Sequence, residues 1–479
     1  MDLARTQRYL PWLVATALFM EQLDSTIVNT GIPSMAASLG VAPLSLKAVA
    51  TSYILALAVS IPVSGWLAER FGSRRIFLFA LAMFTASSVM CGLAPNASLL
   101  VAARVPQGIA AAMMMPVGRS AVVRTFPKSE LLRVMNFIII PALIGPLLGP
   151  TVGGLIVHWL NWRVMFFVNV PVGLVGFWLG RQVMPDYRTE DPPPLDVVGL
   201  VLFGSGVALL SWLLEVFGEH SVPAFQITLL FLLSVALLAA YGWHATQVPF
   251  PLLRLGVFKV RTFRISVLGG FVTRLGIGGL PFLLPLLYQL GLGLPAWESG
   301  LLMMPAAASA MVMKVVSASL LRRFGYRQVL VANTVLVAGG IASYALVGPG
   351  TWLGAIIGLG LMLGLFNSLQ FSSLNTMAYA DIDAADASMA STIASTLQQM
   401  SLSFGLATAT LVTSFFLAEL PQSDHVAVTR ALHHGYLMMA TLTLLSSLVF
   451  RGLRRNDGES VSKGAVTRDP AEPRRSELT

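Results

Sequence analysis

Two carboxylates, Glu21 and Asp24, lie inside a long apolar stretch near the start of the sequence. They are three residues apart and therefore share one face of a helix. Desolvation in a membrane interior disfavours the ionised form of a carboxyl group, so such a group is a candidate for taking up and releasing a proton. Two neighbouring carboxyl groups would also titrate as a coupled pair. The alternative for Asp24 is a structural role, in which it caps a kink or bonds a neighbouring helix.

Three cations, Arg104, Arg274 and Lys314, also fall within apolar stretches. Arg104 is the natural electrostatic partner of Asp24, although a structural Arg104 that bonds helix-end carbonyls is the alternative. Arg274 and Lys314 have no carboxylate within their own stretches, and together they would give a cavity a cationic side. Lys314 lies near the end of its stretch, so its ammonium group could instead extend to the membrane surface.

Residue types that would indicate an enzyme are scarce. Cys91 is the only cysteine, and the six histidines lie at or beyond the ends of apolar stretches, so we expect no disulfide, no metal site and no cofactor. The sequence also lacks the phosphate-binding patterns GxxxxGKS and GxxxxGKT. We therefore predict a protein that is not an enzyme and has no catalytic residue.

The composition indicates that the chain lies in a lipid bilayer. Of 479 residues, 56% are hydrophobic and 11% are charged, whereas soluble domains carry about 25% charged residues. The apolar residues form blocks of about twenty, the length at which a helix crosses the hydrocarbon core. The net charge is +9, but most Lys and Arg residues form short clusters between these blocks, which indicates membrane topology and not a nucleic-acid partner.

The blocks predict an all-α integral membrane protein with fourteen transmembrane helices. With the N-terminus inside, most Lys and Arg clusters fall on the cytoplasmic side, and the C-terminus is cytoplasmic as well. The exception is the loop after the twelfth span, which carries Asp381, Asp383 and Asp386 and no basic residue. The predicted spans lie near residues 11–33, 49–68, 76–94, 99–118, 137–157, 164–181, 196–214, 224–243, 265–288, 299–320, 328–347, 351–373, 391–417 and 435–451.

A short pattern, Arg-Phe-Gly-x-Arg, occurs after the second span at 70–74 and again after the tenth span at 323–327. Short cytoplasmic turns favour Arg and Gly in any case, which is the alternative explanation. If the seventh and eighth spans are an insertion, however, each copy follows the second span of a six-span set, and parallel repeats of this kind are typical of transporters whose halves rock about a central site. We thus predict a six-helix bundle at 1–190, two inserted helices at 191–250, a second six-helix bundle at 251–451 and a disordered cytoplasmic tail at 452–479.

Segments 65–75, 104–111 and 145–154 combine glycines with polar or charged residues at fixed spacings. They resemble motifs A, B and C of the major facilitator superfamily, and segments 23–33 and 162–173 resemble signatures of its fourteen-span drug:proton antiporters. The resemblance extends over nearly the whole chain. The matching positions are Gly65, Glu69, Arg70, Gly72 and Arg74 in motif A, Arg104, Gln107 and Gly108 in motif B, and Gly145, Gly149, Pro150, Gly153 and Gly154 in motif C.

The resemblance implies roles for the charged residues of these motifs. Arg104 would change the charge state of Asp24 during proton coupling, and Glu21 would assist. Motif A, which has Glu69 in place of the usual Asp and Ser73 in place of the usual Arg or Lys, would form a cytoplasmic latch in which Glu69 pairs with a basic residue.

Motif C predicts close helix packing from its residues alone. Gly145, Gly149 and Gly153 recur every four residues on one helix face, and Pro146 and Pro150 remove backbone hydrogen bonds and bend the helix. The resemblance adds that this bend would seal one face of the cavity in an antiporter.

The resemblance also implies a proton-coupled antiporter that exports drugs or other small amphipathic compounds from the cytoplasm by alternating access. We expect a monomer in a bacterial cytoplasmic (inner) membrane, whose partners are a small-molecule substrate, protons and the lipid bilayer. Because Arg274 and Lys314 are cationic, export of an anionic metabolite or metal chelate is the main alternative, and a membrane receptor that does not transport is a weaker one. The candidate cavity residues are Asn29, Arg274, Lys314 and Asn367.

Overall fold

A computed structural model describes residues 3–190, 192–216, 223–383, 386–417, 425–454, 457 and 458 of the chain. Within these residues the fold is helical and has no strand, which confirms the predicted all-α class. Most of the predicted tail lies outside the described residues. The helices are α1 Leu3–Leu39, α2 Lys47–Phe71, α3 Ser73–Leu93, α4 Ala97–Thr125, α5 Lys128–Trp159, α6 Val164–Phe167, α7 Asn169–Val183, α8 Val197–Val216, α9 Ala224–Gln247, α10 Arg261–Ile277, α11 Leu280–Leu286, α12 Ala296–Phe324, α13 Tyr326–Ser343, α14 Leu353–Ala378, α15 Ala387–Leu417 and α16 His425–Phe450.

Every predicted span coincides with one of these helices or with a consecutive pair. The sixth span is divided into α6 and α7 at Val168, and the ninth is divided into α10 and α11 and ends in a π-helical turn at Leu287–Gly291. Among the described segments, eleven are long and apolar enough to cross a membrane. The helices α1, α5 and α16 lie at the positions of the other three predicted spans, so the crossing of the membrane by these three remains a prediction.

The helix pairs that pack together are the same in two parts of the chain. In the first part α1 packs on α5, α2 on α4, and α3 on α4 and α7. In the second part α10 packs on α15, α12 on α14, and α13 on α14 and α16. The two copies of Arg-Phe-Gly-x-Arg take equivalent places, because Gly72 (φ 97°) joins α2 to α3 and Gly325 (φ 75°) joins α12 to α13. Glycine adopts a positive φ at little steric cost, so both copies make the same tight turn between helices.

Two seams join these parts of the chain, one between α5 and α12 and one between α2 and α15. In the α5–α12 seam the two backbones lie close together. A Cβ atom added to Gly154 would lie 2.3 Å from Ala296 O, and one added to Gly300 would lie 2.3 Å from Pro150 O. Thr151 Oγ1 also donates a hydrogen bond to Gly300 O (3.2 Å). Small residues thus allow the helices to approach to backbone contact.

These close contacts of the α5–α12 seam lie toward the Trp159 end of α5 and the Ala296 end of α12. The other half of α12 is largely uncovered: between Val312 and Ser319 only Ser317 is buried, and Val315 is 83% exposed. The seam therefore has tight backbone contact at one end, whereas at the other end α12 leaves most of its surface free.

The helices α8 and α9, which the sequence predicts to be an insertion, pack on each other, and α8 also packs on both helices of the α2–α15 seam. Asp196 holds the start of α8 in place: its Oδ1 accepts a hydrogen bond from Gly199 N (2.7 Å) and contacts His244 Nε2 (2.7 Å), and its Oδ2 accepts one from Leu252 N (3.0 Å). Burial acts to raise the pKa of Asp196, but the hydrogen bonds with His244 and with the two backbone amides outweigh it and hold that pKa below its usual value. An ionised Asp196 therefore ties α8 to α9 and to the segment that follows α9.

Candidate functional site

Asp24 and Arg104 form a buried ion pair between α1 and α4. Arg104 Nη1 donates to Asp24 Oδ2 at 2.6 Å, and the two side chains are 1% and 0% exposed. The guanidinium is held from two further sides, because Nε donates to Val49 O (3.1 Å) and the ring of Tyr53 lies 4.2 Å from its central carbon. The structure thus places together the two charged residues that the sequence predicts as partners.

Neutral polar residues complete the surroundings of the Asp24 carboxylate. Its Oδ1 accepts hydrogen bonds from Gln107 Nε2 (3.1 Å) and from Asn169 Nδ2 (2.7 Å). Gln107 Nε2 also donates to Ser88 Oγ (2.8 Å), and Gln107 Oε1 accepts from Arg104 Nη1 (2.7 Å). An ionised carboxylate can only accept hydrogen bonds, and here every described contact is a donor. The arrangement therefore fits the ionised form of Asp24.

Three members of this network, Ser88, Asn169 and Tyr53, are absent from the sequence-based site. Asn169 lies in a segment that carries a family signature, but its type and position alone do not assign it to Asp24. The sequence gives even less reason to assign Ser88 and Tyr53 to this site, since serine and tyrosine are common in membrane helices. Their contacts depend on the rotation of α2, α3 and α7 about their axes, which the sequence does not specify.

Glu21 is buried on the same helix but does not join the network. Its side chain is 6% exposed, and its Oε2 atom has no hydrogen-bond partner among the described residues. The carboxyl group interacts electrostatically with Arg119 and with Asp24. Glu21 therefore influences Asp24 through charge and not through a direct hydrogen bond.

The motif C glycines lie against the stretch of α1 that carries Asp24. A Cβ atom added to Gly149 would lie 2.1 Å from Thr26 Oγ1, one added to Gly153 would lie 2.5 Å from Ile27 O, and one added to Gly145 would lie 2.8 Å from Gln22 Cβ. This is the close approach that the four-residue spacing predicts. Gly154, one residue farther on, instead faces α12 across the seam. One short segment of α5 thus contacts both α1 and α12.

Gly108 of motif B allows an equally close contact between α4 and α2. A Cβ atom added there would lie 2.3 Å from Tyr53 O and 2.9 Å from Ala56 Cβ. Arg104 lies one turn before Gly108 and Gln107 directly before it on the same helix, so this contact holds both of them close to α2. The small residue therefore helps to position the two polar residues of its motif.

Motif A docks on the segment that follows α7. Gly72 faces Asp186, whose Oδ1 would lie 2.3 Å from an added Cβ, and the same oxygen accepts a hydrogen bond from Arg74 N (3.2 Å). The Arg74 guanidinium donates to Arg181 O in the last turn of α7. Ser73, which replaces the usual basic residue, donates from Oγ to Pro185 O (2.8 Å).

The other motif A residues are placed differently from one another. Glu69 uses its backbone carbonyl, which accepts from Thr189 N (3.1 Å), and no ion pair of its carboxylate is found among the described residues. The acid in contact with the motif is Asp186, which the sequence does not single out. Arg70 is exposed, and a Cβ atom added to Gly65 would meet nothing within 4 Å.

The four candidate cavity residues occupy different surroundings. Asn29 is 7% exposed on α1, Lys314 is exposed on α12, and Asn367 is half-buried on α14. Arg274 is 5% exposed and lines a small cavity between α10, α14 and α15. None of the other three is among the described residues that line this cavity.

Comparison with known proteins gives one family. A profile of the Major Facilitator Superfamily matches residues 14–406. The "Putative multidrug resistance protein MdtD" of Serratia proteamaculans (strain 568) is 37% identical over 459 residues, which are 96% of this chain and 95% of that protein. A protein of the same description from Klebsiella pneumoniae (strain 342) is 37% identical over 449 residues, which cover 94% and 95% of the two chains.

Solved structures with the same fold are also transport proteins. A bacterial homolog of the human lysosomal transporter Spinster, in an inward-facing and unoccupied conformation, has a TM-score of 0.68 at 13% identity, over 93% of this chain and 96% of that one. A D-xylose-proton symporter has a TM-score of 0.66 at 15% identity, over 94% and 98%. At these identities the similarity concerns the fold alone.

Proposed function

This chain belongs to the major facilitator superfamily, and we propose that it is a proton-coupled antiporter that exports drugs or other small amphipathic compounds from the cytoplasm. It is a multi-pass membrane transport protein and not an enzyme. The printed name of its relatives supports drugs as a substrate class. The proposal includes fourteen membrane crossings, cytoplasmic termini, two six-helix bundles with α8 and α9 inserted between them, and a bacterial cytoplasmic membrane as the location.

The observation that carries the proposal is the buried Asp24–Arg104 pair. A charge inside a membrane helix is costly, about 2.5–3.5 kcal/mol on insertion scales, so a carboxylate and a guanidinium buried there together require a function or a strong structural reason. The contacts of Asp24 come from α4 and α7, and Arg104 reaches α2 as well. A change in the charge of the Asp24 carboxyl group therefore alters contacts among four helices, α1, α2, α4 and α7.

Protonation would rearrange this network. A protonated Asp24 carries an O–H group that must donate, so at least one of the three donors now aimed at the carboxylate has to move away. Arg104 would lose its countercharge and retain only the neutral acceptors Val49 O and Gln107 Oε1. The network thus has two arrangements, one with an ion pair and one without, which is what coupling to protons requires.

The α5 helix can carry this change to the seam. Gly149 and Gly153 hold α5 against α1 beside Asp24, and Gly154 and Pro150 hold the same segment against α12. Since the backbones touch on both sides, we expect a shift of α1 to move α5 relative to α12. In the predicted topology this end of the seam faces the outside, and the contacts there would close the cavity on that side.

The experiment uses the full chain in proteoliposomes with an imposed pH gradient and three probes, ethidium, salicylamide and salicylate. We expect the pH gradient to drive accumulation of at least one probe against its concentration gradient. Asp24→Asn should abolish that accumulation, because the amide cannot take up a proton. Asp381→Asn, which removes an exposed loop carboxylate, is the matched control and should transport as the unmodified protein does.

Folding of each variant is checked by the monodispersity of the purified protein. The double variant Asp24→Asn/Arg104→Gln, which removes both buried charges, should lack coupling as well. Full gradient-driven transport by a folded Asp24→Asn variant would remove Asp24 from the mechanism. Absence of transport of all three probes by the unmodified protein would instead favour a receptor.

A further inference from the structure

Arg274 is a buried cation without an acidic partner in the part of the chain that the structure describes. It lies on α10 and is 5% exposed, and no described carboxylate lies within ion-pair distance of it. Its Nε atom has no hydrogen-bond partner among the same residues. This contrasts with Arg104, the buried arginine of the first half, which is fully engaged by Asp24, Gln107 and Val49. A buried unpaired charge is costly, so the fold keeps Arg274 at the expense of stability.

The surroundings of Arg274 form a site with free space in it. The cavity is small and partly open, with a volume of about 20 Å³. A cavity needs about 10–15 Å³ to hold one water molecule, so this one has room for a small polar group at the head of a ligand and not for a whole ligand. Its polar lining comes from three helices, with Ser266 on α10, Asn375 on α14 and Gln398 on α15, and none of the described lining residues is acidic.

Neighbouring groups contact both the side chain and the backbone of Arg274. The ring of Phe371 on α14 lies 4.9 Å from the central carbon of the guanidinium, within the range of a cation–π contact. The α10 backbone at this point is fixed against α15, since a Cβ atom added to Gly405 would lie 2.8 Å from Arg274 O. The Phe371 ring provides no hydrogen-bond acceptor atom, and Nε has no partner among the described residues, so this N–H group is left to bind a ligand.

From this geometry we propose that the Arg274 cavity is a subsite that binds the carboxylate group of the transported solute. The planar fork of the guanidinium matches a carboxylate with two parallel hydrogen bonds, and the hydroxyl and amide groups of Ser266, Asn375 and Gln398 supply further polar contacts. The inference rests on the proposed transport function and assigns its substrate class, an amphipathic compound with a carboxylate. The apolar part of such a compound would extend out of the small cavity along α10, α14 and α15.

The test compares two probes that match in size and shape and differ in charge, salicylate and its neutral amide, salicylamide. Binding to the full-length protein in detergent is measured by equilibrium dialysis. We expect the unmodified protein to bind salicylate about tenfold more tightly than salicylamide, as a charge-assisted pair predicts. Arg274→Gln should remove this preference and leave the affinity for salicylamide within about twofold.

Two further variants separate the site from general effects of charge or folding. Arg264→Gln removes an exposed arginine from the same helix and should keep the preference for salicylate. Asn375→Leu fills the exposed side of the cavity without altering a charge, and it should remove the preference even if Arg274→Gln fails to fold. Equal binding of the two probes by the unmodified protein, or an unchanged preference in a folded Arg274→Gln variant, would overturn the proposal.

Asp24→Asn distinguishes this inference from the proposed proton coupling. That variant should keep the preference for salicylate in the binding assay even though it loses gradient-driven transport. If Asp24→Asn retains coupled transport, the coupling mechanism fails while the carboxylate subsite stands. Repeating the dialysis in nanodiscs shows whether the cavity binds a solute or a lipid headgroup. An equal preference for salicylate in phosphatidylglycerol and phosphatidylcholine supports a solute carboxylate. Loss of the preference only in phosphatidylglycerol assigns the cavity to a lipid phosphate.

Discussion

At the scale of single residues, Asp24 and Arg104 depend on each other for their stability inside the fold. Each charge is acceptable in its buried position because the other is 2.6 Å away. The neutral groups around the pair, such as Gln107 and Val49 O, provide hydrogen bonds but no countercharge. Removing one of the two charges should therefore destabilise the fold more than removing both.

This argument predicts the outcome of a double-mutant cycle. Asp24→Asn should lower the free energy of unfolding by about 3 kcal/mol, at the low end for a broken buried pair because Arg104 keeps two neutral acceptors. The double variant Asp24→Asn/Arg104→Gln should lose less free energy of unfolding than Asp24→Asn alone, and so less than the sum of the two single changes. The measurement is unfolding by SDS in mixed micelles, followed by circular dichroism. Effects that add within about 0.5 kcal/mol would show that the pair is not coupled.

The sequence predicts the charged members of this site and misses the neutral ones for one physical reason. Charges inside membrane spans are few and costly, so Asp24 and Arg104 can be recognised as partners without a structure. Ser88 and Asn169 are polar but uncharged, and such residues occur in many membrane helices without a shared site. The sequence misses the contact of Asp186 with motif A for another reason. The type of an acidic residue in a polar loop does not show which helix end it contacts.

At the scale of helices, glycines of one motif perform different tasks. Gly72 ends α2 with a φ of 97° and lies against Asp186, whereas Gly65 lies inside α2 with open space where a Cβ atom would be. Only the first position therefore needs glycine for its conformation and for the space around it.

The two motif A glycines should respond to alanine in opposite directions. Gly72→Ala forces a positive φ on a residue with a Cβ atom and should lower the free energy of unfolding by about 1–3 kcal/mol. Gly65→Ala replaces glycine in a helix interior and should raise it by about 0.5–1 kcal/mol. Thermal unfolding of both purified variants measures the difference, and equal shifts would contradict the assigned conformations.

The apolar blocks predict where helices occur more reliably than how they end or break. The first predicted span covers residues 11–33, but α1 runs from Leu3 to Leu39, because a helix can continue beyond the hydrocarbon region that defines the block. The breaks between α6 and α7 and between α10 and α11 have no counterpart in the apolar pattern. At the second break Gly278 lies against the backbone of α15, so helix packing accounts for it.

At the scale of the whole molecule, transport by alternating access requires the α5–α12 seam to open. The backbone contacts of Gly154 with Ala296 and of Gly300 with Pro150 would have to separate in the opposite state. A covalent link across this seam therefore tests the proposed motion directly.

A disulfide between Thr151→Cys and Gly300→Cys, in a Cys91→Ser background, should stop transport. A Cβ atom at residue 300 would lie 3.0 Å from Thr151 Cα but also 2.3 Å from Pro150 O, so Gly300→Cys displaces the two backbones slightly before the thiols can be joined. The reduced double variant is therefore the reference for transport. Oxidation should abolish gradient-driven transport in proteoliposomes, and a reducing agent should restore it. Each single-cysteine variant should be insensitive to the oxidant. Undiminished transport by a fully cross-linked protein would mean that this seam does not open.

The repeat of Arg-Phe-Gly-x-Arg predicts corresponding helix packing in two parts of the chain, but it does not predict where α8 and α9 lie. The helices α8 and α9 are apolar along their length, and such helices can lie against any lipid-facing surface. Their place is decided by the contacts of α8 with α2 and α15 and by the hydrogen bonds of Asp196 with His244 and Leu252.

That placement makes the two seams unequal in energy, although the proposed repeat of two six-helix bundles would relate them by symmetry. Separating α5 from α12 exposes their facing surfaces to lipid or to the cavity alone. Separating α2 from α15 also requires α8 to leave one of the two helices, so additional packing is lost on that side. The α8–α9 pair thus reinforces the α2–α15 seam and not the α5–α12 seam. If the two bundles rock, we expect the rocking axis to lie closer to the α2–α15 seam than the symmetry of the bundles would place it.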